Sequence, residues 1–149
     1  MVILPAFALA VLVFVVDQGI KLLVESTMAL RQSIELIPDF LSLTYILNDG
    51  GAFGILSGSQ IILMIGGAVA VAVVLWMLLS GPPSKLTTVG CGLILGGAAG
   101  NLHDRITSEG VTDYIHFSFW YIFNAADAAI VVGVGMLLIS SLFPSKDKN

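Results

Sequence analysis

Two aspartates, Asp113 and Asp127, stand where an ionised carboxylate is expensive. Asp127 lies about one turn into an apolar run that contains neither Lys nor Arg, and Asp113 precedes an apolar stretch in the segment that must return to that run. A charged group in or beside hydrocarbon costs roughly a few kcal/mol unless it is paired or hydrated, so each is a functional candidate. Two carboxylates brought close in a poorly hydrated pocket do not both ionise: one pKa rises, the other stays low, and the pair holds one shared proton. In that state one aspartate deprotonates a water while the other donates a hydrogen bond to a peptide carbonyl. That chemistry hydrolyses amides without a covalent intermediate.

Other polar residues fall at the same level of the chain's apolar runs. Asp17 and Lys21 are spaced i,i+4 and share a helix face on which they can pair. Asn101, Asp104 and Arg105 stand at i,i+3 and i,i+4, Asn124 and Asp127 at i,i+3, and Asn48-Asp49-Gly50-Gly51 reads as a turn. Plainer roles exist for each: Asp17 with Lys21 as a helix-end ion pair, and Asp104 beside Arg105 as a helix-terminal pair that orders the following loop. His103 and His116 lack metal-ligand spacing to each other, and Cys91 sits in an uninterrupted apolar run, where it reads as a small hydrophobe. No Ser-His or Cys-His nucleophile presents itself, and no metal or cofactor is expected.

These residues are carried by a chain of 149 residues that is 57% apolar and 11% charged, with a mean hydropathy of +1.00. Soluble domains hold about 25% charged residues, which argues against a water-soluble globule. Six Lys/Arg against ten Asp/Glu leave none of the basic excess that nucleic acid requires. Four runs approach the roughly 20 apolar residues that cross a bilayer: 2–23, 61–79, 86–102 and 124–143. The first lacks a basic start and a small-x-small cleavage site and runs into Asp17, so it reads as a retained span. Gly92, Gly96 and Gly100 lie four apart in the third, a spacing that lets a neighbouring backbone approach closely.

Four spans place both termini on one side, with segments 24–60 and 103–123 together on the other. Nine of the ten acids fall in those segments or at the helix ends facing them, whereas Lys85, Lys146 and Lys148 lie in the short connection and the tail. By the positive-inside rule the termini are expected to be cytoplasmic. Leu41, Leu43, Tyr45 and Leu47 alternate with Ser42, Thr44 and Ile46, the pattern of a short strand. Segment 103–123 reads as a loop folded back over the mouth of the bundle, ending in aromatic residues that suit the lipid headgroup level. The expected fold is thus one all-α membrane domain, residues 1–149, of four transmembrane helices with a small extracytoplasmic β-strand region and a loop over the active site.

Five motifs in order resemble those of the lipoprotein signal peptidases, also called signal peptidase II. They are Asp17-Gln18-x-x-Lys21; Asn48-x-Gly50-x-Ala52-Phe53; Gly96-Gly97-Ala98-x-Gly100-Asn101-x-x-Asp104-Arg105; Val111-x-Asp113-Tyr114; and Phe123-Asn124-x-Ala126-Asp127. The resemblance implies an aspartic endopeptidase of the bacterial inner membrane with its site near the extracytoplasmic surface. It implies that signal peptides are cut from prolipoproteins just before a diacylglyceryl-modified cysteine. It assigns catalysis to Asp113 and Asp127, substrate binding or ordering of the site to Asn48, Gly50, Asn101, Asp104, Arg105 and Asn124, and structural support to Asp17 and Lys21. Prolipoproteins and membrane lipids are the implied partners, and a monomer is expected.

Two other classes of function compete on the residues alone. Membrane-embedded carboxylates also mark proton or ion pathways, but those need acids distributed in depth, whereas the second run holds none. A non-catalytic assembly subunit would use the glycine faces for docking and gives no reason for two carboxylates and three asparagines to gather at one level.

Overall fold

The computed structural model describes residues 3–50 and 60–143. The apolar runs form α1 (Ile3–Thr27), α2 (Gln60–Leu79), α3 (Lys85–Thr107) and α4 (Ala125–Leu142). Between them lie three strands, β1 (Ser33–Ile37), β2 (Leu41–Asn48) and β3 (Val111–Phe117). Helices α1, α2 and α4 are long and apolar enough to cross a bilayer. Their outward faces leave Leu4, Val11, Ile61, Trp76, Val131 and Leu138 exposed. Apolar surface on that scale needs lipid rather than water around it.

Helix α3 is the central element. Twelve of its 23 residues are buried, against five of 25 in α1. Its glycines make this possible. A Cβ at Gly96 would stand 2.6 Å from the carbonyl oxygen of Ala10 in α1, and one at Gly97 would stand 2.5 Å from that of Ala126 in α4. Backbones therefore touch on two sides of α3, which matters in lipid, where helix association depends on dispersion and close contact. Cys91 is fully buried in the same cluster as Ala6, Ala10 and Leu95.

The strands form one antiparallel sheet in the order β1-β2-β3. Its inner residues Leu43, Tyr45 and Tyr114 pack with Ile20 and Val24 on the last turns of α1 and with Met28 just beyond its end. In the β2–β3 ladder Asn48 lies opposite Val111 and Ile46 opposite Asp113. Beyond β3 the chain reverses, and Phe123 exchanges hydrogen bonds with Ile115 (3.0 and 2.8 Å). That reversal delivers Asn124, at the start of α4, to the flank of Asp113.

Several sequence expectations need correction. Segment 103–123 is not a loop. Helix α3 continues to Thr107, and 111–117 pairs with β2, because a backbone lying beside an open strand edge satisfies its N–H and C=O groups there. Among its described residues, segment 24–60 holds two strands rather than one, and α1 extends four residues beyond the expected 23. Asn124 precedes the fourth helix as its N-cap instead of belonging to it. The expected turn begins as an Asx turn, with Gly50 N donating to Asn48 Oδ1 at 3.0 Å. Gly51, Ala52 and Phe53 of that motif and the tail residues Lys146 and Lys148 lie outside the described residues.

Candidate active site

The site is assembled from four elements that meet where α1, α3 and α4 approach the sheet. Asp113 comes from β3 and is 1% exposed. Its Oδ2 accepts from Asn48 Nδ2 (2.8 Å) and its Oδ1 from Asn124 Nδ2 (2.7 Å). Asp127 comes from the first turn of α4 and accepts from Asn101 Nδ2 on α3 (2.7 Å). Asn124 joins the two carboxylates: its amide N–H serves Asp113 while its Oδ1 accepts the backbone N–H of Asp127 (2.9 Å).

Each of the three asparagines is held in one orientation by a group that can only donate. Gly50 N–H occupies the oxygen of Asn48, Lys21 Nζ the oxygen of Asn101 (3.1 Å), and Asp127 N–H the oxygen of Asn124. In every case the NH2 end is left for a carboxylate. Burial first, and then the negative charge of Asp127, push the Asp113 carboxyl up to about 7, against the opposing pull of the Asn48 and Asn124 amides and the Lys21 charge.

Below this pair lies a buried ionic cluster. Lys21, 2% exposed, directs its three N–H groups at Asp17 Oδ2 (2.7 Å), Asp104 Oδ2 (2.7 Å) and Asn101 Oδ1 (3.1 Å). The expected pairing of Asp17 with Lys21 is present. The expected pairing of Asp104 with Arg105 is not: consecutive helical residues point about 100° apart, so Asp104 turns inward to Lys21. Arg105 instead donates to the Asn101 backbone carbonyl (3.4 Å) and lines a cavity of about 230 Å³ between α2, α3 and α4, beside Asn101, Ala98, Gly66 and Ile130.

The first N–H groups of α4 are all capped by side chains. Ala125 N donates to Tyr114 Oη (3.1 Å), Ala126 N to Asp17 Oδ1 (3.0 Å) and Asp127 N to Asn124 Oδ1, while Asp127 Oδ2 reaches back to Asn124 N (3.4 Å). The last two form a capping box. Burial is the main cause that pushes the Tyr114 phenol up to about 12, so it stays neutral.

Of the residues singled out in the sequence, Asn48, Asn101, Asp113, Asn124 and Asp127 are in one hydrogen-bonded group. Gly50 orients Asn48, Asp17, Lys21 and Asp104 lie beneath, and Arg105 borders the cavity. His103 stands at the surface against Phe14, and His116 Nδ1 faces the hydroxyls of Ser42 (3.3 Å) and Thr44 (3.2 Å). Gln18 and Tyr114 occur in the motifs, but residue type and spacing alone assign them no role. Gln18 Nε2 donates to Asp104 Oδ1 (2.8 Å) and Tyr114 caps α4.

The chain is similar to known proteins over most of its length. The sequence profile described as signal peptidase (SPase) II matches residues 9–143. The chain belongs to the signal peptidase II family. It is 39% identical over 140 residues to the lipoprotein signal peptidase of Desulfitobacterium hafniense, 93% of each chain, and 43% identical over 141 residues to that of Symbiobacterium thermophilum, covering 90% of this chain and 91% of the relative. Two solved structures, each described as a bacterial membrane enzyme studied by the in meso method, share its fold. One has a TM-score of 0.86 at 30% identity, covering 97% of this chain and 91% of the other, and the second a TM-score of 0.82 at 31% identity, covering 96% and 94%. Membership of the signal peptidase II family and the apolar helices together make this a multi-pass membrane protein.

Proposed function

We propose that this chain is an aspartic endopeptidase that removes signal peptides from prolipoproteins, cutting before the diacylglyceryl-modified cysteine. The observation that carries the reading is the pair Asp113 and Asp127, drawn from different elements and joined through Asn124. Asp113 holds the shared proton and Asp127 is the ionised partner. Asp127 takes a proton from water as the water oxygen attacks the scissile carbonyl carbon, and Asp113 gives its proton to the carbonyl oxygen. The diol collapses as Asp127 passes its proton to the amide nitrogen, Asp113 recovers one from a hydroxyl, and the C–N bond breaks. Asn48, Gly50, Asn101 and Asn124 hold the two carboxylates. Asp104, Asp17 and Lys21 order the helices beneath, and Arg105 faces the substrate. No metal or cofactor enters these steps.

Helix α3 serves as a fourth span. Its 23 residues extend about 34 Å, and its glycines and polar end are shielded by α1, α2 and α4. Residues 1–149 then form a single domain of the inner membrane with both termini cytoplasmic. Lys85 at the start of α3 and the acids of the sheet segments support that orientation, with the site at the extracytoplasmic surface. The cavity between α2, α3 and α4 reaches Asn101 and Arg105, so a signal peptide and its acyl chains can arrive laterally. Each CH2 lifted into water would cost about 0.8 kcal/mol.

The test is cleavage of a purified prolipoprotein in detergent or lipid, with and without the diacylglyceryl group, in the presence of EDTA. Cleavage of the lipidated form alone, unchanged by the chelator, is expected. A folded sample that leaves the lipidated form intact would refute the proposal.

A further inference from the structure

Lys21 has a second task besides neutralising Asp17 and Asp104. An ammonium carries donors and no acceptor, so the Asn101 atom 3.1 Å from Lys21 Nζ has to be the amide oxygen. The reversed amide would set NH2 against NH3+. Asn124 Nδ2, 3.0 Å from the same oxygen, favours the same orientation with a neutral donor. Asn101 Nδ2 is then directed at Asp127 Oδ1, 2.7 Å away.

We infer that Lys21 is a positioning residue for the reaction: by holding the Asn101 oxygen it keeps an N–H donor on Asp127, and so keeps Asp127 as the ionised member of the pair and Asp113 as the proton carrier. The inference rests on the dyad reading given above. The charged and titratable groups facing the pair are Asp17 and Lys21 from α1, Asp104 and Arg105 from α3, and Tyr114 from β3. Arg105 meets Asn101 at the backbone carbonyl, and Lys21 meets it at the side-chain amide. Lys21 is therefore the cation placed to set the amide's direction.

Glutamine and methionine at position 21 separate this task from charge and bulk, because they match in size and neutrality and differ in having an N–H donor. Each is combined with Asp104→Asn, which keeps the buried cluster at the parent's net charge. Lys21→Gln with Asp104→Asn, matched in charge to the parent, is expected to keep the acidic limb of the pH profile where the parent has it. Lys21→Met in the same background is expected to lose about tenfold in kcat at unchanged KM and to move the acidic limb of the profile up by about one pH unit. Identical profiles for the two would overturn the inference. Should the methionine variant not be recovered folded, the parent decides by NMR of protein labelled with 15N-asparagine. The Asn101 NH2 resonances, identified by their loss in Asn101→Leu, should shift in Asp127→Asn, and indifference to that substitution refutes the inference. Failure of the dyad reading has a different signature, cleavage that survives Asp113→Asn, and leaves the NMR result untouched.

Discussion

Asp17 Oδ1 accepts the backbone N–H of Ala126 at 3.0 Å, so a carboxylate of the first helix caps the helix that carries Asp127. The other oxygen of Asp17 binds Lys21 at 2.7 Å, and the side chain is fully buried. A capping carboxylate in this position satisfies an N–H that has no partner within its own helix and complements the positive end of the helix dipole. Substituting Asp17 by Ala takes from Lys21 one of its two carboxylates and strands the Ala126 N–H. The expected loss is about 3 kcal/mol, because a charged buried hydrogen bond and a helix cap are lost together. Asp17→Asn, which keeps an acceptor for Ala126, should lose less. Thermal unfolding in detergent checks the order, and equal melting temperatures for the alanine variant and the parent would contradict the capping role.

The two carboxylates make different demands on a substitution than Asp17 does. In the proposed mechanism, Asp113→Asn and Asp127→Asn preserve shape while removing the shared proton or the base. Each is expected to lower cleavage by about 10^3-fold, within the range that general acid-base groups contribute. The variants should insert into membranes and bind lipidated prolipoprotein as the parent does, which a pull-down with the immobilised substrate would show. Substantial turnover by either variant would remove that residue from the chemistry.

Asp113 and Asp127 stand out in the sequence because ionisable residues are conspicuous against apolar runs, and the alternation of span direction puts their clusters at one depth. The asparagines stand out for the same reason. What the sequence does not disclose is partnership across elements. Arg105 is the neighbour of Asp104 in the chain, yet Lys21, 83 positions away, is its neighbour in space. Val111–Phe117 alternates weakly and carries Asp113 in its interior, so its strand character comes from pairing with β2 and not from local preference. Tyr114 is ordinary as a sequence residue. Its importance arises only when the chain reversal after β3 sets its hydroxyl against Ala125 N–H.

The raised pKa of Asp113 carries a sign for stability. Its value is about 7 in the fold against 3.8 as the ordinary value, so between these limits the folded protein binds more protons than the unfolded chain. Stability from this group is fully present below about pH 4, falls as pH rises towards 7, and is lost above it. The melting temperature of the parent should therefore decline between about pH 5 and 7.5. The decline should be smaller in Asp113→Asn, whose side chain at 113 stays neutral throughout. Parallel melting curves for parent and variant across this range would show that Asp113 ionises in the fold as it does in water.

Gly97 sets how near α4 lies to α3 and therefore where Asp127 stands relative to Asn101. A Cβ there would meet Ala126 O at 2.5 Å and Ile130 Cγ1 at 2.9 Å, and the first contact is backbone, which yields only if α4 moves. Gly97→Ala is expected to cost about 1 to 3 kcal/mol by overpacking. It should lower kcat as well, because the displaced helix lengthens the bond of Asp127 to Asn101. Gly135, further along α4, faces open space. Gly135→Ala meets no obstacle, gains about 1 kcal/mol in helix propensity, and should leave cleavage unchanged. Thermal melting and cleavage rates of the two variants, measured side by side, check the contrast. A Gly97→Ala protein as stable and active as Gly135→Ala would show that backbone contact between α3 and α4 does not set the position of Asp127.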